Sequence, residues 1–195
     1  MDMVLNYIKA LVKIYGLVHK DKVVEIYNMQ NEDYINDQVI QTIIKEKEVY
    51  LLNEICISIH KNYFVYLTIM VGDHFEEELK LKKGKPFYIP EKEELLKYTD
   101  PYYFEINKEY EELFKFVKKM FWRKSKAKKV CREIQSYCEN YRAMENLHIL
   151  FEEQKIKFKN ARQTDELMSL IRNLANNTRI WQNNGYTPNE LEKMG

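Results

Sequence analysis

The spacing of the apolar residues changes near residue 49, and that change limits the folds open to this chain. From Met3 to Ile44 apolar positions recur every three or four residues, as on one face of a helix. Val4, Leu5, Ile8, Leu11, Val12 and Tyr15 make a first stripe, which Gly16 ends. Val23, Val24, Ile26 and Tyr27 make a second, with Asp21 placed to cap it. Val39, Ile40, Ile43 and Ile44 make a third, starting near Asn36 or Asp37. The period then falls to two. Val49-Tyr50-Leu51 and Ile55–Ile59 read as β-rich runs, His60-Lys61-Asn62 as a turn, and Tyr63–Leu67 as a returning strand.

Three short helices followed by a hairpin is the order of a winged-helix domain. In that reading the third helix is the recognition element and exposes Gln38, Gln41, Thr42 and Lys45, with Lys61–Asn62 at the wing tip. Winged helices bind protein as well as DNA, so the order of elements does not decide function.

Beyond Val71 the chain turns polar. His74–Leu81 reads as a short helix and Lys82-Lys83-Gly84-Lys85 as a loop. Pro86–Pro90 reads as an extended segment held between prolines. Glu91–Lys97 reads as another short helix, stopped by Thr99-Asp100-Pro101. The remainder is helical in period: Phe104–Phe121, a helix capped by Ser125, Ala143–Gln154, and a long helix starting at Gln163 or Thr164 with Trp181 in its register. The expected architecture is α+β and mainly α. A winged-helix-like domain spans 1–85, a linker spans 86–101, and an all-α bundle spans 102–195.

The segment Asn176–Leu191 carries the densest local signals. Thr187-Pro188-Asn189-Glu190 has the form of a capping box with proline at the first helical position. Gly185, preceded by Asn183 and Asn184, suits a left-handed turn. The segment therefore reads as helix end, turn and helix start, with Trp181 able to pin the turn to the body.

These residues carry a resemblance. Ile14-Tyr15-Gly16, Tyr88-Ile89-Pro90 with Glu93-Glu94-Leu95, and Asn176–Leu191 together resemble a group of proteins from low-GC Gram-positive bacteria. In that group a winged-helix-like segment precedes a helical region, and longer members carry a C-terminal SEC-C zinc motif. The resemblance implies the same two-part fold and no assigned activity. Cys138 is the last cysteine in this sequence, so the zinc motif is expected to be missing.

Cys56, Cys131 and Cys138 are three in number, which suits a reducing compartment. Cys131 and Cys138 share a helix face but lie about 10 Å apart along the axis, too far to bridge. His19, His60, His74 and His148 show no ligand spacing with them. No Gly-rich phosphate loop, nucleophile elbow or HExxH motif occurs. No catalytic residue, cofactor or metal is expected, and no membrane span or signal segment, so the expected compartment is the cytoplasm.

Charge is unevenly placed. The net charge is +1. Residues 91–114 hold three cations and eight anions, whereas residues 115–132 hold nine cations and no anion. The nine are Lys115, Lys118, Lys119, Arg123, Lys124, Lys126, Lys128, Lys129 and Arg132, with Trp122 among them. Such a run attracts phosphate or an acidic protein face, and Trp122 offers a ring for stacking. It could equally be a solvated face that neutralises residues 91–114. Residues 1–90 hold eleven cations and thirteen anions, which argues against the winged-helix part as a strong DNA binder by itself.

The expected function is a non-catalytic binding or regulatory protein that engages nucleic acid or a nucleoprotein complex through 115–132. The alternative is a protein–protein adaptor, such as an inhibitor from a phage or mobile element that binds a host protein. The sequence leaves the oligomeric state open.

Overall fold

A computed structural model describes residues 2–140 and 144–194. The chain is mainly helical, with one small three-stranded antiparallel sheet. It divides into two compact units. The first comprises residues 1–104 and 181–185; the second comprises 105–180 and 186–195.

In the first unit α1 (Asp2–Tyr15) is the central element. Nine of its fourteen residues are buried, because its apolar residues cover most of its circumference. Gly16, at φ 73°, closes it by donating its N–H to the Val12 carbonyl at 2.7 Å. There follow β1 (Leu17–His19), α2 (Lys20–Gln30), α3 (Asp37–Ile55), β2 (Ile57–His60) and β3 (Tyr63–Tyr66). The sheet order is β1-β3-β2, with Val18 opposite Phe64 and Ile59 opposite Phe64 on the other side. Lys61 and Asn62 both take positive φ, so the hairpin turns in two residues. The unit is completed by α4 (Leu67–Val71), α5 (Phe75–Lys82) and α6 (Lys92–Lys97).

Four sequence expectations change here. The strand expected at Val49–Leu51 is helical: α3 continues to Ile55 because Leu51 falls on the same buried face as Ile40 and Ile43. Core contact outweighs the β-propensity of Val49 and Tyr50, whose side chains are exposed. The N-cap of α2 is His19, whose Nδ1 accepts from the Asp21 N–H at 3.3 Å, so Asp21 lies inside the first turn. Lys82, expected in a loop, is the last residue of α5 and is buried. Residues 86–101, expected as a linker, pack within the first unit. Leu95 is fully buried, and Phe87, Ile89 and Leu96 lie against the same core as α1.

The second unit contains α7 (Lys108–Lys118), α8 (Lys124–Glu139), α9 (Leu147–Glu153), α10 (Ala161–Asn176) and α11 (Pro188–Glu192). Leu113 and Val117 of α7, Val130, Cys131 and Ile134 of α8, Leu150 of α9, and Leu167, Ile171 and Leu174 of α10 form its core. Cys131 and Cys138 lie buried on one face of α8 as free thiols. The helix expected over Phe104–Phe121 is shorter at both ends, because the Asn107 side chain caps it through the Tyr110 N–H at 2.8 Å. Asn160, not Gln163 or Thr164, caps α10. The expected start at Ala143 lies outside the described residues.

Candidate nucleic-acid interface

α7 and α8 are joined by residues 119–123, and their sequences fix which sides face inward. On α8 the buried positions Ala127, Val130, Cys131, Ile134 and Cys138 recur every three or four residues. That leaves Lys124, Lys128 and Arg132 in an i, i+4, i+8 row on the exposed side. Successive members of this row are about 6 Å apart along the axis. On α7, burial of Leu113 and Val117 turns Lys115 and Lys118 outward, and Lys119, its C-cap, is exposed as well.

Nine of the ten residues singled out by sequence are exposed: Lys115, Lys118, Lys119, Trp122, Arg123, Lys124, Lys128, Lys129 and Arg132. Lys126 is half-buried, and its ammonium donates to Gln154 Oε1. Trp122 has a relative exposure of 102%, against 0% for Leu113 a few residues earlier. A tryptophan in a folded unit normally buries most of its large apolar surface. Here nothing in the core claims it.

The cations sit where the helix itself disfavours them. The first turn of α8 has no acidic residue, and its N-cap Arg123 supplies no side-chain acceptor. Ser125, expected as the cap, is instead the second residue of the helix. The amino end of a helix carries partial positive charge, so Lys124 and Lys126 add repulsion there rather than relief. An external anion would reverse the sign of that contribution. Three carboxylates of residues 91–114 pair with cations outside the basic run. Glu94 pairs with Lys97 at 2.5 Å, Glu105 with Arg179 at 2.6 Å and Glu112 with Lys108 at 3.6 Å. Within the basic run, Lys129 pairs with Glu133 at 3.7 Å.

The segment 176–191 is built as its local chemistry suggests. Thr187 Oγ1 accepts from the Glu190 N–H at 3.1 Å, and Glu190 Oε2 accepts from the Thr187 N–H at 3.0 Å. Gly185 and Asn184 take φ of 83° and 48°. Trp181 is not part of α10 but opens a 3-10 turn, Trp181–Asn183, that belongs to the first unit. Its Nε1 donates to the Lys13 carbonyl at 3.0 Å. Gly16 is the seat of the indole, since a Cβ there would stand 2.6 Å from Trp181 Cδ2. Gly185 likewise faces Ile14, and the Tyr15 hydroxyl donates to the Tyr88 carbonyl at 2.6 Å. Ile14-Tyr15-Gly16, Tyr88 and Trp181–Gly185, far apart in sequence, thus meet in the first unit.

Sequence reasoning missed the buried polar groups that surround this turn. Lys82 donates to the carbonyls of Tyr15, at 2.5 Å, and Trp181. Lys85 donates to the Gln182 carbonyl and Asn183 Oδ1, both at 2.8 Å. Gln182 Nε2 donates to both oxygens of the buried Glu78. Burial lowers the Lys82 ammonium to about 7, with Glu78 opposing that shift and Lys85 adding to it. In the lysine-rich run 80–85 the only local hint was the helical spacing of Glu78 and Lys82.

Among the described residues no group of three or more His, Cys, Asp or Glu side chains could hold a metal ion. Burial pushes the thiols of Cys131 and Cys138 up to about 12, far from a reactive thiolate. No described helix is long and apolar enough to cross a membrane. No family model matches the chain, and comparison with curated proteins and with solved structures returns no similar protein.

Proposed function

We propose that the protein is a non-catalytic nucleic-acid-binding or nucleoprotein-binding factor that uses the tip of the α7–α8 hairpin. The observation that carries this reading is the fully exposed Trp122 among exposed cations from both helices. Phosphates meet Lys124, Lys128 and Arg132 on α8, Lys115 and Lys118 on α7 and Lys119 just after it, and the indole stacks on a base. A base offers its face only when unpaired, so a single-stranded or looped region is the preferred target.

The first unit is proposed to be a winged-helix scaffold. The order α1-β1-α2-α3-β2-β3 and the sheet order β1-β3-β2 support that assignment. Its third helix is a poor phosphate reader. α3 carries Asp37, Glu46, Glu48 and Glu54 against Lys45 and Lys47, and Gln38, Gln41 and Lys45 are exposed among them. At the hairpin tip Lys61 is paired with Glu76 at 2.6 Å. The reading therefore assigns nucleic acid to the second unit and leaves the first as a frame.

Affinity for single-stranded RNA and DNA measured against salt tests the proposal. Removing one cation that neutralises a phosphate lowers the salt slope by about 0.7 on a single strand. Trp122→Ala is expected to cost about 1–3 kcal/mol of binding. The triple change Lys124→Glu, Lys128→Glu, Arg132→Glu should abolish binding at moderate salt. Binding that survives the triple change unaltered, or no binding even at low salt, refutes the proposal. Capture of an acidic protein by the same face in that case would favour the adaptor alternative.

A further inference from the structure

The first unit contains a cavity of about 680 Å³, lined by residues of β1, α2, β3, α5 and the 83–87 segment, with Asn184. That volume lies within the range of small-ligand sites, about 300–1,000 Å³. Leu17, Val18, Leu79 and Phe87 give it an apolar wall. Lys82 and Lys85 line it from the side of the buried turn.

The charge of this wall is unbalanced. The carboxylates on it already have cationic or imidazole neighbours: Glu25 has Lys22 at 2.5 Å, Glu76 has Lys61 at 2.6 Å, and Asp21 has His19 at 3.3 Å. The buried side faces one carboxylate, Glu78, with two ammonium groups, Lys82 and Lys85. Each ammonium has three N–H donors. Two on each are used by Tyr15, Trp181, Gln182 and Asn183 acceptors, which leaves one for another acceptor on Lys85 and, below pH about 7, one on Lys82. Burial of two cations against one carboxylate is costly. A bound anion would offset that cost.

We infer that this cavity binds a small carboxylate with an apolar, preferably aromatic, body. The carboxylate accepts from Lys82 and Lys85, and the ring lies against Leu79 and Phe87. A bare phosphate is disfavoured by the apolar wall, which it cannot use. The site lies wholly in the first unit, and its test does not depend on the nucleic-acid reading.

The test uses the full chain with benzoate, 4-hydroxybenzoate, phenylacetate and the neutral 4-hydroxybenzyl alcohol as probes, followed by calorimetry and by amide shifts. At least one carboxylate is expected to bind, with 4-hydroxybenzoate at least tenfold tighter than the alcohol. The shifts should centre on Leu17, Val18, Lys85 and Asn184. Lys85→Gln should weaken 4-hydroxybenzoate about tenfold and leave the alcohol unchanged, while Phe87→Ala should weaken both. Lys82→Met should act as Lys85→Gln does, and if it fails to fold, Lys85→Gln decides alone. Lys128→Glu on α8 should leave the binding intact. Failure of all three carboxylates, equal affinity for acid and alcohol, indifference to Lys85→Gln, or shifts centred elsewhere overturns the inference.

Discussion

Gly16 does two jobs that no other residue type does together. Its φ of 73° closes α1, and its missing side chain admits the face of Trp181. The left-handed conformation alone costs a non-glycine residue about 1–2 kcal/mol. An added methyl would also have to displace an indole held by a hydrogen bond to Lys13. Overpacking of that kind costs about 1–3 kcal/mol. Gly16→Ala should therefore lower the urea midpoint of the first unit and shift Trp181 fluorescence toward that of exposed indole. A midpoint equal to that of the parent chain would show that the indole does not need this seat. The terminating role of Gly16 is legible in the sequence, because it follows an apolar stripe. The seat is not, because 168 residues separate Trp181 from Lys13 and no local pattern encodes that meeting. Lys82 is hidden for a related reason. A lysine amid lysines looks solvated until tertiary structure supplies two carbonyls for it.

At the scale of elements, α8 keeps an unfavourable start. Arg123 occupies the N-cap with extended backbone, φ −93° and ψ 120°, a geometry in which serine would accept from the helix amides. Arg123→Ser should stabilise the second unit by about 1 kcal/mol and, in the same protein, weaken nucleic acid and shorten the salt slope. Opposite signs in thermal stability and affinity would mark the residue as kept for binding. A variant that binds as well as the parent would remove Arg123 from the interface. The amphipathic helices are the most legible elements, because their buried stripes repeat over several turns. The strand β1 is not, since three residues after a glycine carry too short a pattern. The true end of α3 is also hidden, because Val49 and Tyr50 favour strands by propensity while buried Leu51 keeps the helix running. The basic run of the candidate interface is fully legible as charge. Its exposure is not, since a Trp between two helices is ordinarily core.

At the scale of the molecule the two units should answer pH differently. Lys82 sits at about 7 in the folded chain against an ordinary 10.5, so between those values the unfolded chain holds the extra proton. The first unit should then gain stability as pH rises from about 7 toward 10. Tyr27, raised to about 12 by burial and by the Asp33 carboxylate, limits that gain above pH 10. Cys131 and Cys138 run the other way. Their thiols are held protonated to about 12 against an ordinary 9, so their stabilising contribution is present below pH 9 and lost as pH rises from there toward 12. Urea melts followed by Trp181 fluorescence report the first unit, since Trp122 is already exposed. Thiol-trapping rates at the buried cysteines report the second. A parallel response of both units across pH 7–11 would contradict these assignments. The division into a mixed first part and a helical second part can be read from the change in apolar period. Its boundary cannot, because residues 86–101 look polar and proline-bounded yet bury Leu95 and pack Phe87 and Ile89 against the same core.

The membership of residues 181–185 in the first unit has a consequence for the order in which the chain is made. Nearly all of the first unit is synthesised within the first 104 residues, but the carbonyl that Lys82 holds at Trp181, and the amide that Gln182 gives to Glu78, follow only after residues 105–180. Until then the nascent chain carries a groove beside Gly16, and Lys82 and Glu78 lack the contacts that Trp181 and Gln182 bring. The first unit therefore closes only once residues 181–185 have been made, and every residue of the second unit up to Ile180 is already on hand when it does.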